Sequence, residues 1–349
     1  MKKKSHGLLQ VLAEYFETYL PTSRGVSPNT IKSYQYAFRL LFEFMQDEMG
    51  IQPDKVTFDN FAGGSVLRYL SWLEKNRGCS AKTRNQRLAA IVSFAKYAAK
   101  KSFIQSLPFV SEVADIPKKK APKDEDLRYF TKEEISILLN MPDSTQDCGR
   151  RDAVLMSTLY SSGARAQEIC DLTVNDISFG KTTTIRLVGK GQKARMIVIP
   201  EKSSDLLKGY LKSRNLDVDN INLRLRHVFS SQTHEKMTIS CVEAIVKKYV
   251  DHAKEKHPTL FKRHSYSPHS FRHSIAVHML ESGESLAVIR AFLGHASISS
   301  TMVYASVTPE LANRYLRERS EGIDIPETVD ANEERFSELP FLSIKKASR

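Results

Sequence analysis

The segment Ile116-Pro-Lys-Lys-Lys-Ala-Pro-Lys-Asp-Glu-Asp126 does most to limit how this 349-residue chain can fold. After its first residue it offers no large apolar side chain, and two prolines punctuate it. Such a stretch cannot enter a core, so it reads as an exposed linker. The chain then folds as two units, residues 1–115 and 127–320, joined by residues 116–126, with residues 321–349 as a tail. A chain of this length can supply two separate cores.

The first unit reads as a small all-helical bundle. Ser27-Pro28 marks a helix start, because serine caps the free N–H groups and proline takes the first turn without losing a bond. Ile31, Tyr34, Phe38, Leu41 and Met45 then recur on one face. Val66, Leu67, Leu70 and Leu73 mark another helix. Ser80 opens a third, carrying Leu88, Ile91, Val92, Ala95 and Ala99. Between Val66 and Lys101 the bases are Arg68, Lys75, Arg77, Lys82, Arg84, Arg87, Lys96, Lys100 and Lys101, against one acid, Glu74. Solvated helix faces usually mix signs, so this one reads as a phosphate-contacting surface.

The whole-chain balance agrees: the net charge is +12 and the pI about 9.4. A polyanionic partner is expected, with nucleic acid preferred over a ribosome-associated or membrane-surface role. No apolar run approaches the roughly 20 residues of a membrane span, and the opening residues lack the pattern of a secretory signal. Cys79, Cys148, Cys170 and Cys241 stand far apart, arguing against a disulfide scaffold or a cysteine zinc site. The expected location is the cytoplasm.

The second unit reads as mainly α with a small antiparallel β-sheet, an α+β arrangement. Thr131-Lys-Glu-Glu134 has capping-box spacing, and a helix is expected from Asp152 to about Tyr160. Ile177–Phe179, Thr183–Val188 and Met196–Ile199 are short β-branched runs separated by glycine-containing turns. Helical periodicity returns from about Ser240 to the region of Tyr315.

Four short motifs in this unit carry chemistry. Breaking a phosphodiester without a metal needs a nucleophile, cations for the non-bridging oxygens and an acid for the leaving oxygen. Arginine suits the second role, because its planar fork meets two phosphate oxygens at once. Gly163-Ala-Arg165-Ala-Gln-Glu168 places a guanidinium and a carboxylate on one helical face, where an ordinary surface ion pair is the alternative. Gly189-Lys190-Gly-Gln-Lys193-Ala-Arg195 is a glycine-rich hairpin tip whose lysine can reach a nucleic acid or give up a proton. It is not a Walker loop.

Ser267-Pro268-His269-Ser-Phe-Arg272-His273 opens a helix with His269 and Arg272 on one side. His269 and His273 also have zinc-ligand spacing, with His264 or His278 as a conceivable third ligand. An arginine between them would repel a dication, so no metal site is expected. Leu293-Gly294-His295 presents a histidine after a tight turn, and Val303-Tyr304-Ala305 follows. Spacing alone does not choose Tyr304 over Tyr266 or Tyr315.

In this order the motifs resemble the catalytic set of the tyrosine recombinase (phage-type integrase) family, and the N-terminal bundle is similar to that family's core-binding domain. The resemblance spans roughly residues 8 to 320. It implies that Arg165 and Arg272 clamp the scissile phosphate, with Glu168 supporting Arg165. Lys190 would be the acid toward the 5′-oxygen, and His269 would assist proton transfer and phosphate binding. His295 would donate to a non-bridging oxygen, and Tyr304 would form the 3′-phosphotyrosyl bond. His273 is expected to support or pack. Phe271 stands where leucine is more usual, and Ala164-Arg-Ala-Gln replaces Leu-Arg-x-Ser; neither changes a catalytic group.

The implied activity is site-specific recombination of duplex DNA through a Holliday junction, independent of metal, ATP and any cofactor. The implied partners are recombination sites and a homo-tetramer assembled on DNA, with phage or other mobile-element integration and excision as the favoured role. Phe341 to Ile344, apolar residues in an acidic tail, are expected to pack on a neighbouring protomer. The rivals are a type IB topoisomerase-like or resolvase enzyme and a non-enzymatic DNA-binding regulator.

Overall fold

The computed structural model describes residues 7–61, 63–120, 127–189, 191–263 and 265–305. The chain divides into two compact units, with the boundary after Glu125.

In the first unit the described helices are α1 (Leu8–Glu14), which runs into a π-helical stretch over Tyr15–Ser23, α2 (Pro28–Met49), α3 (Ser65–Lys75), α4 (Ala81–Lys101) and α5 (Phe103–Ala114). Ser27 and Ser80 cap α2 and α4 by accepting from the backbone N–H of Thr30 and Thr83. The N-terminus of α3 follows Gly64 and has no side chain of its own for this purpose. Glu112 on α5 supplies the acceptor, taking the N–H groups of Gly64 and Val66 at 3.2 and 3.0 Å. A carboxylate there both satisfies orphan donors and meets the positive end of the helix dipole. The core gathers Phe38, Leu41, Phe44, Leu70, Ile91, Phe94 and Phe109.

One expectation changes here. Arg84 is 2% exposed and donates to Pro117 O at 3.0 Å, so it belongs to the packing of the bundle rather than to a phosphate-contacting face. Arg77 and Lys101 are ion-paired with Glu43 and Glu14, while Arg68, Lys75, Lys82, Lys96 and Lys100 are exposed. The start of the linker is exposed but tethered: the Asn85 side chain donates to Lys119 O at 2.7 Å and accepts from Lys119 N at 3.0 Å.

The second unit holds α6 (Lys132–Asn140), α7 (Asp147–Ser162) and α8 (Ala166–Asp171), then β1 (Ile177–Phe179), β2 (Thr183–Val188) and β3 (Ala194–Val198). It continues with α9 (Glu201–Ser213), α10 (Ile239–Lys256), α11 (Pro268–Glu281), α12 (Leu286–Leu293) and α13 (Ser299–Ala305). The strands form an antiparallel sheet in the order β1-β2-β3, with Leu187 opposite Arg195 and Ile185 opposite Ile197.

Thr131 and Glu134 form the expected capping box, and Glu134 also accepts from Phe261 N at 2.5 Å. This ties the loop before α11 to the start of α6. Ser274 then accepts the backbone N–H of Phe130 at 2.8 Å, fixing α11 against the same segment. Among the described residues no helix is long and apolar enough to cross a membrane. The tail 321–349, with Phe341 to Ile344, lies outside the described residues.

Candidate active site

In the second unit α7 and α12 each end in a left-handed glycine, and one arginine holds both ends. Gly163 terminates α7 at φ 58° and Gly294 terminates α12 at φ 65°. Such φ values suit glycine, which has no Cβ to clash. A Cβ on Gly163 would also stand 2.9 Å from Phe292 Cε1, so only glycine lets α12 pack this close. The last carbonyls of a helix lack partners within it. Arg272 on α11 supplies them: Nη1 donates to Gly163 O and Nη2 to Leu293 O, each at 2.6 Å.

The Arg272 side chain is completely buried, and its Nε–H has no partner. Burial, then the charges of Arg165 and Arg195, lower its pKa to about 10, which leaves it cationic at neutral pH.

Arg165 occupies the N-cap position of α8 in extended conformation, φ −79° and ψ 154°, rather than a helical face. Its pairing with Glu168 comes from the turn. The backbone N–H donates to Glu168 Oε2 and Nη1 to Oε1, both at 2.9 Å. A second arginine, absent from the sequence-based site, completes this pair. Arg195 on β3 donates through Nη1 and Nη2 to the two oxygens of Glu168 at 3.0 and 2.8 Å. Burial works to raise the Glu168 carboxyl, but Arg195 and Arg165 outweigh it and hold the group below the usual carboxylate range.

The glycines of the other motifs pack on this cluster. A Cβ on Gly189 would lie 3.2 Å from Glu168 Oε1, and one on Gly294 would lie 3.1 Å from Arg195 Cδ. Strand alternation carried a signal for Arg195, since it shares the inward register of Ile197 two residues later. A charge in that register needs a buried partner. Lys190 lies outside the described residues.

Tyr304, in the last turn of α13, is 1% exposed. Its hydroxyl is 3.1 Å from His273 Nδ1. Burial raises the phenol pKa, while Arg272 and Arg165 lie near enough for their charges to oppose the rise. The His269 ring meets the His273 ring edge-on at 4.4 Å, and the His295 ring lies nearly parallel to that of Tyr304 at 6.4 Å. His295 Nδ1 is 2.9 Å from the hydroxyl of buried Thr301, a second residue absent from the sequence-based site, which sets the ring orientation.

All three imidazoles are pushed down: His273 to about 3, His295 to about 4 and His269 to about 4. Burial is the first cause in each. Neighbouring cationic groups add to it, Arg272 acting on all three. His269 is exposed as a residue, so water on its open side works against the shift. The rings are neutral near pH 7, and His264, one of the third ligands considered above, lies outside the described residues. Among the described residues no cluster of three potential metal ligands occurs.

Of the expected site residues, the fold therefore collects Arg165, Glu168, His269, Arg272, His273, His295 and Tyr304 in one region. Residues 128–310 match the phage integrase family, and residues 13–102 match the phage integrase N-terminal SAM-like domain. The chain belongs to the phage integrase family. Tyrosine recombinases of this family are DNA strand-transfer enzymes.

The chain is 31% identical over 305 residues to the tyrosine recombinase XerD of Chlamydia trachomatis, covering 86% of this chain and 92% of that protein. It is 30% identical over 305 residues to the putative integrase/recombinase y4rC of Sinorhizobium fredii, covering 87% and 89%. In fold it is similar to the XerH site-specific recombinase in a post-cleavage complex with its palindromic difH substrate, with a TM-score of 0.64, 19% identity and coverage of 87% and 84%. The Tn1549 transposon integrase in complex with transposon right end DNA gives a TM-score of 0.62 at 17% identity, covering 88% and 98%.

Proposed function

We propose that this tyrosine recombinase cuts and rejoins duplex DNA at specific sites through Tyr304. The phenol oxygen attacks the scissile phosphorus, forming a phosphotyrosyl ester at the 3′ end while the bond to the 5′-oxygen breaks. The phenol proton passes to Nδ1 of His273, and the leaving oxygen takes a proton from Lys190. Arg272 and Arg165 neutralise the non-bridging oxygens, with His269 and His295 donating to them. The ester conserves the bond energy, so a 5′-hydroxyl from another strand reverses the step without ATP.

The observation that carries this reading is the buried Tyr304 hydroxyl, 3.1 Å from a neutral imidazole and within the field of two arginines. A nucleophile, an adjacent base and preorganised cations are what phosphoryl transfer to a side chain requires. The region of Arg272 and Arg165 suits an anion: the pair of guanidinium groups exceeds what Glu168 balances, and the Arg272 Nε–H has no partner.

The basic face of the first unit would supply sequence-independent contacts to the DNA backbone. Four protomers would hold two duplexes and exchange strands through a Holliday junction, with Phe341 to Ile344 packing on a neighbour. Integration or excision of a mobile element is the role this reading favours.

The test is a covalent trap. A duplex selected from a randomised pool for binding to the Tyr304→Phe protein, then nicked beside the cleavage position, should form a stable adduct with the wild-type chain. Peptide mapping should place the DNA on Tyr304. Binding without any adduct would instead mark a DNA-binding regulator.

A further inference from the structure

We propose that Arg195 is a positioning residue for strand cleavage, acting through Glu168 on Arg165; this rests on the reading of the site given above. Glu168 stands between two guanidinium groups, and its side chain is 3% exposed. Arg195 takes both carboxylate oxygens, at 2.8 and 3.0 Å, whereas the Arg165 guanidinium reaches only Oε1, at 2.9 Å. The two arginines differ in surroundings as well as in contacts. The Arg195 side chain is 11% exposed and that of Arg165 39%, so one is embedded and the other faces the opening of the site.

Arg195 therefore satisfies most of the carboxylate's demand for donors. That leaves Glu168 a weaker trap for Arg165, whose remaining donors can turn to a phosphate. Without Arg195, a buried anion would have Arg165 as its one cationic partner among those described. The guanidinium would be drawn inward to pair with it, because an unpaired buried charge is costly.

The placement of Arg195 adds a second link. It sits on β3 directly opposite Leu187, at the base of the hairpin that carries Gly189 and Gly191. Its Cδ lies where a Cβ on Gly294 would come within 3.1 Å, beneath the turn that leads to His295. One side chain thus joins the sheet, the Arg165 turn and the end of α12. The Arg195 Nε–H has no partner, so the side chain is held by Glu168 and by packing alone among the described contacts.

The experiment measures the rate of adduct formation at saturating protein, and the half-saturating concentration, on the selected nicked duplex. Five proteins are compared: wild type, Arg195→Ala, Arg195→Lys, Arg165→Ala and the Arg165→Ala/Arg195→Ala pair. A misplaced phosphate clamp should slow Arg195→Ala by about 100-fold at saturation. Its half-saturation should move by less than about threefold, since the exposed DNA-contacting lysines are intact. Arg195→Lys should fall between, as it restores a charge but not the two-pronged contact.

The double variant should be no slower than Arg165→Ala alone, because groups acting through one another do not add. Multiplying losses, or a wild-type rate for Arg195→Ala, would overturn the proposal. If Arg195→Ala fails to fold by thermal melting, Arg195→Lys in the Arg165→Ala background decides the same question. Absence of any Tyr304 adduct from the wild-type chain would overturn the parent reading and the proposal together. Additive losses with a normal wild-type adduct would overturn the Arg195 role alone.

Discussion

His273 Nδ1 and the Tyr304 hydroxyl meet at 3.1 Å although 31 residues separate them along the chain. The contact links α11 to α13, and it places a proton acceptor against the proposed nucleophile. Burial first, then His269, Arg272 and His295, keep His273 neutral well below neutral pH, so the acceptor form is available at pH 7.

Replacing His273 by alanine should therefore slow adduct formation by about 10²–10⁴-fold, the range of a positioned general base. Single-turnover rates against pH should show the cause. Wild-type rates should fall on the acidic side as the imidazole takes up a proton, and this limb should flatten in His273→Ala. An unchanged acidic limb would assign the phenol proton to another acceptor.

The histidine cluster also sets how the free protein responds to acid. His273 and His295 have folded pKa values near 3 and 4, below the ordinary 6.5. Between those values and 6.5 the unfolded chain binds more protons, so stability should decline as pH falls through that window. Urea midpoints at pH 7 and pH 5 test this. Replacing both residues by glutamine should reduce the difference.

Gly294→Ala should harm both stability and cleavage. The position has φ 65°, and the added Cβ would press on Arg195 Cδ. The conformational cost alone is about 1–2 kcal/mol. Chemical denaturation should register that loss. The cleavage rate should fall as well, because the same turn presents His295.

Much of this was legible in the sequence, for identifiable physical reasons. Ser27, Ser80 and Thr131 mark helix starts because capping is a local event between residues three apart. Gly294 was readable as a tight turn before His295 because a left-handed glycine is likewise a local event. Arg165 was assigned to a helical face because its spacing from Glu168 fits both a helix turn and an N-cap, and only the backbone angles separate them. Arg195 was missed because its partner lies 27 residues away in sequence. The Tyr304–His273 contact was equally invisible, since spacing carries no information about how α13 returns to α11. Arg84 shows the converse: a base in a one-signed run whose neighbours reach solvent while it turns into the bundle.

Replacing Arg272 by alanine should abolish adduct formation and destabilise the second unit. Hydrogen bonds from a charged donor contribute about 1.5–3 kcal/mol each. Loss of the pair to Gly163 and Leu293 should lower the urea midpoint well beyond any shift that Tyr304→Phe produces.

The ties from Arg272 to the ends of α7 and α12 fasten two helices to one side chain. Its guanidinium waits in place, spared the cost of ordering when a duplex arrives, but the same anchoring makes it a poor residue to disable. A silent, DNA-competent protein for trapping assemblies should be made at the phenol, where a single oxygen can be taken away and the scaffold left standing.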